Sequence, residues 1–401
     1  MTVSIEPSTA SGSVQAPPSK SAAHRLLICA GLSSLDSMIH GIPYCDDILA
    51  TVDCLDALGC GIELADDSAY VRGGMLASAP DGAVLNCRDS ASTLRFLLPA
   101  ALLSGSQIRF TGSKRLMSRP VYVYADVFLR TGARFDVQDD SITVKGKLRA
   151  GKYNVYGGIS SQFISGLCMA LPVLSGRSLV DVDPPFVSVP YVDMTLKIMA
   201  MFSVRAHRCG TRIKTEGSQG YTAGAYNVEG DWSAASVLDA LNLFGGNVDI
   251  TGLDPDSPQG DKIYKQHFSR IKKEIPVLDL SDCPDIGPVC MAAAAAFNGA
   301  VFTGTDRLRF KESDRCRAME EELRKFGVYC ETGGNRFAVK PYGFKRPNAP
   351  LYGHNDHRIV MALSVLATVT GGTITGAEVI NKSFPGFFHV LRSLGVTVRE
   401  Q

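Results

Sequence analysis

Residues 321–331 read EELRKFGVYCE: a charged helical stretch runs into a glycine, and a short β-like run follows. The same order recurs at CLDALGCGIEL (54–64), VFLRTGARFDV (127–137), LKIMAMFSVRA (196–206), LDALNLFGGNVDI (238–250) and HVLRSLGVTVRE (389–400). Glycine suits the end of a helix because it accepts a left-handed backbone without steric cost. The copies stand roughly 40 to 80 residues apart, too unevenly for a tight solenoid. Six α/β units in two groups of three are therefore expected. The short step from Ser203 to Gly245 reads as the seam between the groups.

Two breaks place the crossings between groups. VQAPPSK (14–20) is a proline-rich interruption after a single opening strand, and AYNVEGDWS (225–233) ends the third unit and begins the fourth. If the first strand packs with the C-terminal half, the chain crosses twice, and a cleft is expected at the crossovers. The expected domains are residues 1–16 with 229–401, and residues 17–228. A chain of 401 residues exceeds one ordinary core, which also favours two domains.

Charge excludes several functions. Lysine and arginine total 41 against 40 aspartates and glutamates, so the net charge of +1 gives no bulk attraction to nucleic acid or membrane. The first residues, MTVSIEPSTASGSV, lack the basic start and apolar core of a secretory leader, and VCMAAAAAF is too short for a membrane span. Eleven scattered cysteines without a CxxC pair argue against a zinc site or a disulfide framework. Buried free thiols in a cytoplasmic protein are expected.

The polar residues before each expected helix carry the chemistry. Lys20, Arg25, Arg95, Lys311, Arg315 and Arg358 stand in or beside first helical turns. Helix N-termini are partly positive, so each cation there costs about 0.3–1 kcal/mol. Six together imply an anion to be held by side chains and backbone N–H groups jointly. No GxxxxGK[ST], strand-linked GxGxxG, GxSxG or HExxH accounts for them. A small, heavily anionic substrate is the remaining reading.

Ten motifs in order then carry a resemblance: PSKSAAHR (18–25), DSASTLRFL (89–97), SRPV (118–121), SSQFISGL (160–167), VPYVDMTL (189–196), VEGDWSAAS (228–236), PDIGPV (284–289), RLRFKESDR (307–315), DHRIVMAL (356–363) and KSFPGFF (382–388). The chain closely resembles the 5-enolpyruvylshikimate-3-phosphate synthases, the enolpyruvyl transferases of the shikimate pathway of aromatic amino acid biosynthesis. The resemblance implies an α/β fold of two similar domains, each of three βαβαββ units (an inside-out α/β barrel). It implies transfer of the enolpyruvyl group of phosphoenolpyruvate to the 5-hydroxyl of shikimate 3-phosphate, with release of phosphate. No metal or organic cofactor is implied, and a monomer without nucleic-acid or membrane partners is expected.

Residue roles follow from the same resemblance. Lys20, Ser21, Arg25, Ser160, Ser161, Gln162, Ser188, Tyr191, Asp285 and Lys311 match contacts to shikimate 3-phosphate. Lys20, Ala91, Arg95, Arg119, Gln162, Arg315, His357, Arg358 and Lys382 match the phosphoenolpyruvate pocket. Asp285 matches the carboxylate that takes the proton of the attacking hydroxyl, and Lys311 and Glu312 lie near the reacting carbons. Glu312 is the usual candidate for protonating the methylene carbon, with Lys20 as its rival. By residue type alone, Asp285, Ser160 and Ser161 also read as helix caps, and His357 as a structural histidine. Trp232 reads as packing near the second crossing.

One departure stands out. The family commonly has glycine where this chain has Ala91, and the added methyl should crowd an inhibitor longer than phosphoenolpyruvate, notably glyphosate. Two rival functions remain: enolpyruvyl transfer to UDP-N-acetylglucosamine, and a non-catalytic anion-binding relative. The first uses a loop cysteine that is missing from GSKRLMSRPV (112–121), and the second has no need of Asp285 as a base.

Overall fold

The computed structural model describes residues 1–74 and 79–400. Two strands open the chain, β1 (Thr2–Ile5) and β2 (Ser11–Gln15). The chain then divides into two compact units, Pro18–Glu229 and Met1–Pro17 with Gly230–Gln401.

In Pro18–Glu229 the helices of seven or more residues among the described residues are α1 (Lys20–Leu32), α2 (Asp46–Ala57), α3 (Ala91–Ala101), α4 (Val123–Leu129), α5 (Ser161–Ala170) and α6 (Val189–Met201). Between them run β3 (Ser37–His40), β4 (Ile62–Ala65), β5 (Ser68–Val71), β6 (Val84–Asn86), β7 (Gly105–Thr111), β8 (Arg134–Val137), β9 (Ser141–Gly146), β10 (Lys152–Tyr156), β11 (Ser178–Asp183), β12 (Ala206–Cys209), β13 (Arg212–Thr215) and β14 (Ala225–Asn227). They form three sheets of one pattern: β14-β3-β5-β4, β6-β7-β9-β8 and β10-β11-β13-β12. In each, the first pair is parallel and a helix leads from the second strand to an antiparallel hairpin; a further helix bridges β6 to β7 and β10 to β11, whereas β3 simply follows α1 and its parallel partner β14 is the last strand of the unit.

Sequence pattern explains the layering. In β10, Tyr153 and Val155 are buried while Lys152, Asn154 and Tyr156 are exposed, the alternation of a sheet with one wet face. Helices α1, α3 and α5 are instead buried almost all round, as expected of helices in the middle of a core. One continuous apolar core fills this unit.

The other unit has its own core. Its helices are α7 (Trp232–Leu243), α8 (Tyr264–Lys273), α9 (Gly287–Ala296), α10 (Arg315–Lys325), α11 (His357–Thr370) and α12 (Phe387–Ser393). Its further strands are β15 (Asn247–Thr251), β16 (Val277–Asp279), β17 (Ala300–Thr303), β18 (Tyr329–Gly333), β19 (Arg336–Lys340), β20 (Leu351–Tyr352), β21 (Gly372–Thr375) and β22 (Val398–Glu400). Two sheets repeat the pattern, β16-β17-β19-β18 and β20-β21-β1-β22, the second completed by the first strand of the chain. The third holds only β15 and β2.

That truncated sheet corrects the expected repeat. Five of the helix–strand stretches join the second helix of a unit to its outer strands, but LDALNLFGGNVDI joins the first helix, α7, to β15. After α8 the chain passes directly to β16, with no hairpin. The short step from Ser203 to Gly245 is thus a change of phase within the repeat. One position of β15 is covered by a side chain: Asn242 accepts from Val248 N–H at 2.6 Å and donates to the Val248 carbonyl at 2.8 Å.

The helix-ending glycines behave as expected. Gly327 and Gly395 have φ of 80° and 85°, and Ser203, where glycine is missing, takes φ 63° at greater cost. Ten of the eleven cysteines are buried, Cys209 is exposed, and all are free thiols. No helix among the described residues is long and apolar enough to cross a membrane.

Candidate active-site residues

Each unit gathers its own polar cluster, mostly at helix N-termini. In Pro18–Glu229, Ser19 caps α1 by accepting from Ala22 N–H at 3.3 Å, which leaves Lys20 as the first helical residue. Lys20 Nζ lies 2.5 Å from Asp47 Oδ2 on α2. One turn on, Arg25 is buried, with its guanidinium 4.8 Å from the centre of the Phe96 ring. It donates to Thr195 Oγ1 at 2.6 Å, the Ser21 carbonyl at 2.6 Å, the Tyr191 carbonyl at 3.1 Å and Ser165 Oγ at 3.5 Å. Those acceptors are neutral, and burial pulls its pKa down to about 10. A buried guanidinium held by neutral oxygens retains attraction for an anion.

Two further helix starts meet beside it. Ser160 caps α5, accepting from Gln162 N–H at 3.3 Å, so its capping reading holds. Ser161 is the buried first residue of that helix. The Gln162 amide accepts from Arg95 Nη1 at 2.9 Å and donates to Ser92 Oγ at 2.8 Å. Arg95 also donates to the Pro120 carbonyl at 3.0 Å, next to the buried Arg119. Ala91 opens α3 directly after its cap, Ser90, and is buried. Ser188 precedes α6 with φ 54°, and Tyr191 follows in its first turn.

In the other unit the cluster centres on Arg315, which is 1% exposed. Its Nε donates to Asp356 Oδ2 at 2.9 Å, Nη1 to Asp285 Oδ1 at 2.8 Å, and Nη2 to Glu312 Oε2 at 2.9 Å. Lys311 Nζ adds a second cation on Asp285 at 3.2 Å, and Arg358 Nη2 a third at 3.7 Å. Burial opposes charge on Asp285, but Lys311, Arg315 and Arg358 outweigh it and hold the carboxyl well below the usual range. Burial lowers Lys311 to about 8, with Arg315 and Arg307 adding to the effect and Asp285 and Glu312 opposing it.

Asp285 is not a cap, because α9 starts after Ile286 with no side-chain cap bond. Asp356 caps α11, accepting from Arg358 N–H at 2.9 Å, and places His357 and Arg358 in the first turn. Lys382 donates to the Asn355 carbonyl at 2.9 Å.

A profile of the EPSP synthase (3-phosphoshikimate 1-carboxyvinyltransferase) family matches residues 5–391. The 3-phosphoshikimate 1-carboxyvinyltransferase of Clostridium kluyveri is 36% identical, the match covering 99% of this chain and 98% of the relative. That of Brachyspira hyodysenteriae is 35% identical, covering 99% of this chain and all of the relative. The chain belongs to the EPSP synthase family. An EPSP synthase structure from Acinetobacter baumannii shares the fold, with a TM-score of 0.80 at 20% identity and full coverage of both chains.

Part of the charge on the helix-start cations is met within the chain, by Asp47, Asp285, Glu312 and Asp356. Sequence reasoning passed over Asp47 and Asp356, since an acid in a first turn or at a cap looks like ordinary dipole matching. It also passed over Thr195 and Ser165, which tie Arg25 to α6 and α5. RLRFKESDR begins in a 3-10 turn, Asp306–Phe310; Lys311 and Glu312 lie in the bend after it, and Asp314 caps α10. Arg307 is buried and donates to the Ser281 carbonyl at 2.9 Å. Cys316, Met319, Leu323 and Phe326, at spacings of three and four, form the buried side of this stretch. Trp232 is a packing residue, its indole N–H bonded to the Asp254 carbonyl at 3.1 Å.

Proposed function

We propose that this chain transfers the enolpyruvyl group of phosphoenolpyruvate to the 5-hydroxyl of shikimate 3-phosphate by addition and elimination, releasing phosphate. The observation that carries the reading is Asp285, an ionised carboxylate contacted by Lys311, Arg315 and Arg358. Such a group can accept the hydroxyl proton while its neighbours stabilise a departing phosphate. Lys20, Ser21, Arg25, Ser160, Ser161, Gln162, Ser188 and Tyr191 bind shikimate 3-phosphate in this proposal. Arg95, Arg119, Arg315, His357, Arg358 and Lys382 bind phosphoenolpyruvate. Glu312 is ion-paired with Arg315, so that pair must loosen before the carboxyl can act as an acid. Lys20, kept in place by Asp47, is the alternative donor. The protein acts as a cytoplasmic monomer in this reading.

The test is to follow phosphate release with shikimate 3-phosphate and phosphoenolpyruvate together. Release that instead requires UDP-N-acetylglucosamine would reverse the choice of acceptor, and no release with either would leave only an anion-binding relative.

The lowered pKa of Lys311 gives a pH dependence. Its positive charge is present below about 8 and is lost as pH rises through that value. The value of kcat/KM should therefore fall on the alkaline side with a midpoint near there, and Lys311→Arg should move that limb upward. An unchanged limb in the variant would assign it to another group.

Ala91 supplies a second expectation. Removing its methyl in Ala91→Gly should lower the inhibitory concentration of glyphosate about tenfold, the order of effect of one overpacked methyl. Equal inhibition of both forms would show that this methyl does not set inhibitor fit.

A further inference from the structure

Helix α10 carries a second buried charge, well away from Arg315. Glu322 is 2% exposed, although it lies in the strongly charged run EELRK. Both carboxylate oxygens are used: Lys325 Nζ donates to them at 2.9 and 2.8 Å, and Tyr352 N–H donates to Oε2 at 2.9 Å. The His354 ring nitrogen lies 2.8 Å from Oε1, with Glu321 the other acid near it at 4.0 Å. Lys325 also donates to the Pro350 carbonyl at 2.9 Å. Burial opposes the charge, but His354, Lys325 and the Tyr352 N–H hold the carboxyl below its ordinary range.

These contacts all reach residues 350–354, the segment directly before Asp356, His357 and Arg358. Glu322 and Arg315 stand seven residues apart, two turns along one helix face. One helix therefore grips the segment at two points, through Tyr352 and His354 at one and Asp356 at the other. Between them His354 and Asn355 both take left-handed backbone, with φ 49° and 55°. Two consecutive non-glycine residues hold that conformation only where their surroundings fix it. Lys382, on the Asn355 carbonyl, provides a third hold.

We propose that Glu322 is a positioning residue: through Tyr352 and His354 it fixes the segment that sets His357 and Arg358 at the start of α11. The proposal rests on the reading that those two residues bind phosphoenolpyruvate. A carboxylate that served stability alone would lower the amount of active protein, and so the apparent kcat, without moving KM for either substrate. A positioning carboxylate affects the substrate bound by the segment it fixes.

The experiment compares full-length wild type with Glu322→Ala, Glu322→Gln and His354→Ala. It reads KM for each substrate, thermal midpoint, and hydrogen exchange over residues 350–360. Glu322→Ala should raise KM for phosphoenolpyruvate about tenfold or more and leave KM for shikimate 3-phosphate within about twofold. Exchange over the segment should accelerate. Glu322→Gln, which can still accept from Tyr352 N–H, should recover part of the loss. If Glu322→Ala does not fold, Glu322→Gln and His354→Ala decide the matter by the same split. Equal movement of both KM values, no movement in folded variants, or unchanged exchange would overturn the proposal. A wild type inactive with this substrate pair would instead overturn the functional reading, and hydrogen exchange would still decide whether Glu322 fixes the segment.

Discussion

Replacing Asp285 with alanine should lower kcat at least about a thousandfold, within the range for loss of a general base. Affinity for shikimate 3-phosphate should change little, because most of the residues proposed to bind it lie in Pro18–Glu229. The geometry makes the expectation specific. Asp285 Oδ1 is 2.8 Å from Arg315 and 3.2 Å from Lys311, so the carboxylate is both ionised and fixed in direction. Its low pKa makes it a weak base in equilibrium terms, and its contribution depends on being charged and aimed at the hydroxyl. Asp285→Asn is the sharper form of the test, since it keeps the shape and removes the proton acceptor. Single-turnover rates near those of wild type in Asp285→Asn would dismiss the base assignment. Loss of folding in Asp285→Ala with a stable Asp285→Asn would point to charge balance as the first role of this residue.

Arg315→Ala should be the most destabilising change in the cluster. Removing one partner of a buried ion pair costs about 3–5 kcal/mol, because the opposite charge stays buried. Here three carboxylates would lose a shared cation, and Asp356, fully buried, would keep only Ser313 Oγ at 3.0 Å and Arg358 N–H at 2.9 Å as donors. In a unit of this size that corresponds to a fall in thermal midpoint of roughly 10 °C. Arg315→Lys should recover little, since an ammonium cannot reproduce the three directions of the guanidinium. Calorimetry on the two variants checks this, and a midpoint within about 2 °C of wild type would contradict it.

What could be read from the sequence follows from how locally each feature is encoded. Helix, glycine and strand lie next to one another, so every helix–strand stretch was visible. The phase of the repeat was hidden, because α7–β15 and the α10–β18 join share one signature while occupying different places in their units. The missing hairpin leaves no residue behind to announce it. The site divides similarly. Lys20, Arg25, Arg95 and Arg358 drew attention because a cation at a helix start is locally unfavourable. The acids paired with Lys20 and Arg315 did not, since Asp47 and Asp356 sit where acids are common. Glu322 was hidden among neighbours that face water, and only the fold shows that its side chain turns inward.

The cover that Asn242 gives Val248 in β15 has a consequence for the folding chain. A strand with open N–H and C=O groups is a template on which another chain can add, and the risk is greatest before the helices have packed. In this unit the protecting amide comes from α7, only six residues before the strand position it covers. The guard can therefore form as soon as one helix and its following strand are made, with no need for a distant hairpin to arrive. A two-stranded sheet thus has a local guard where its four-stranded neighbours rely on a hairpin.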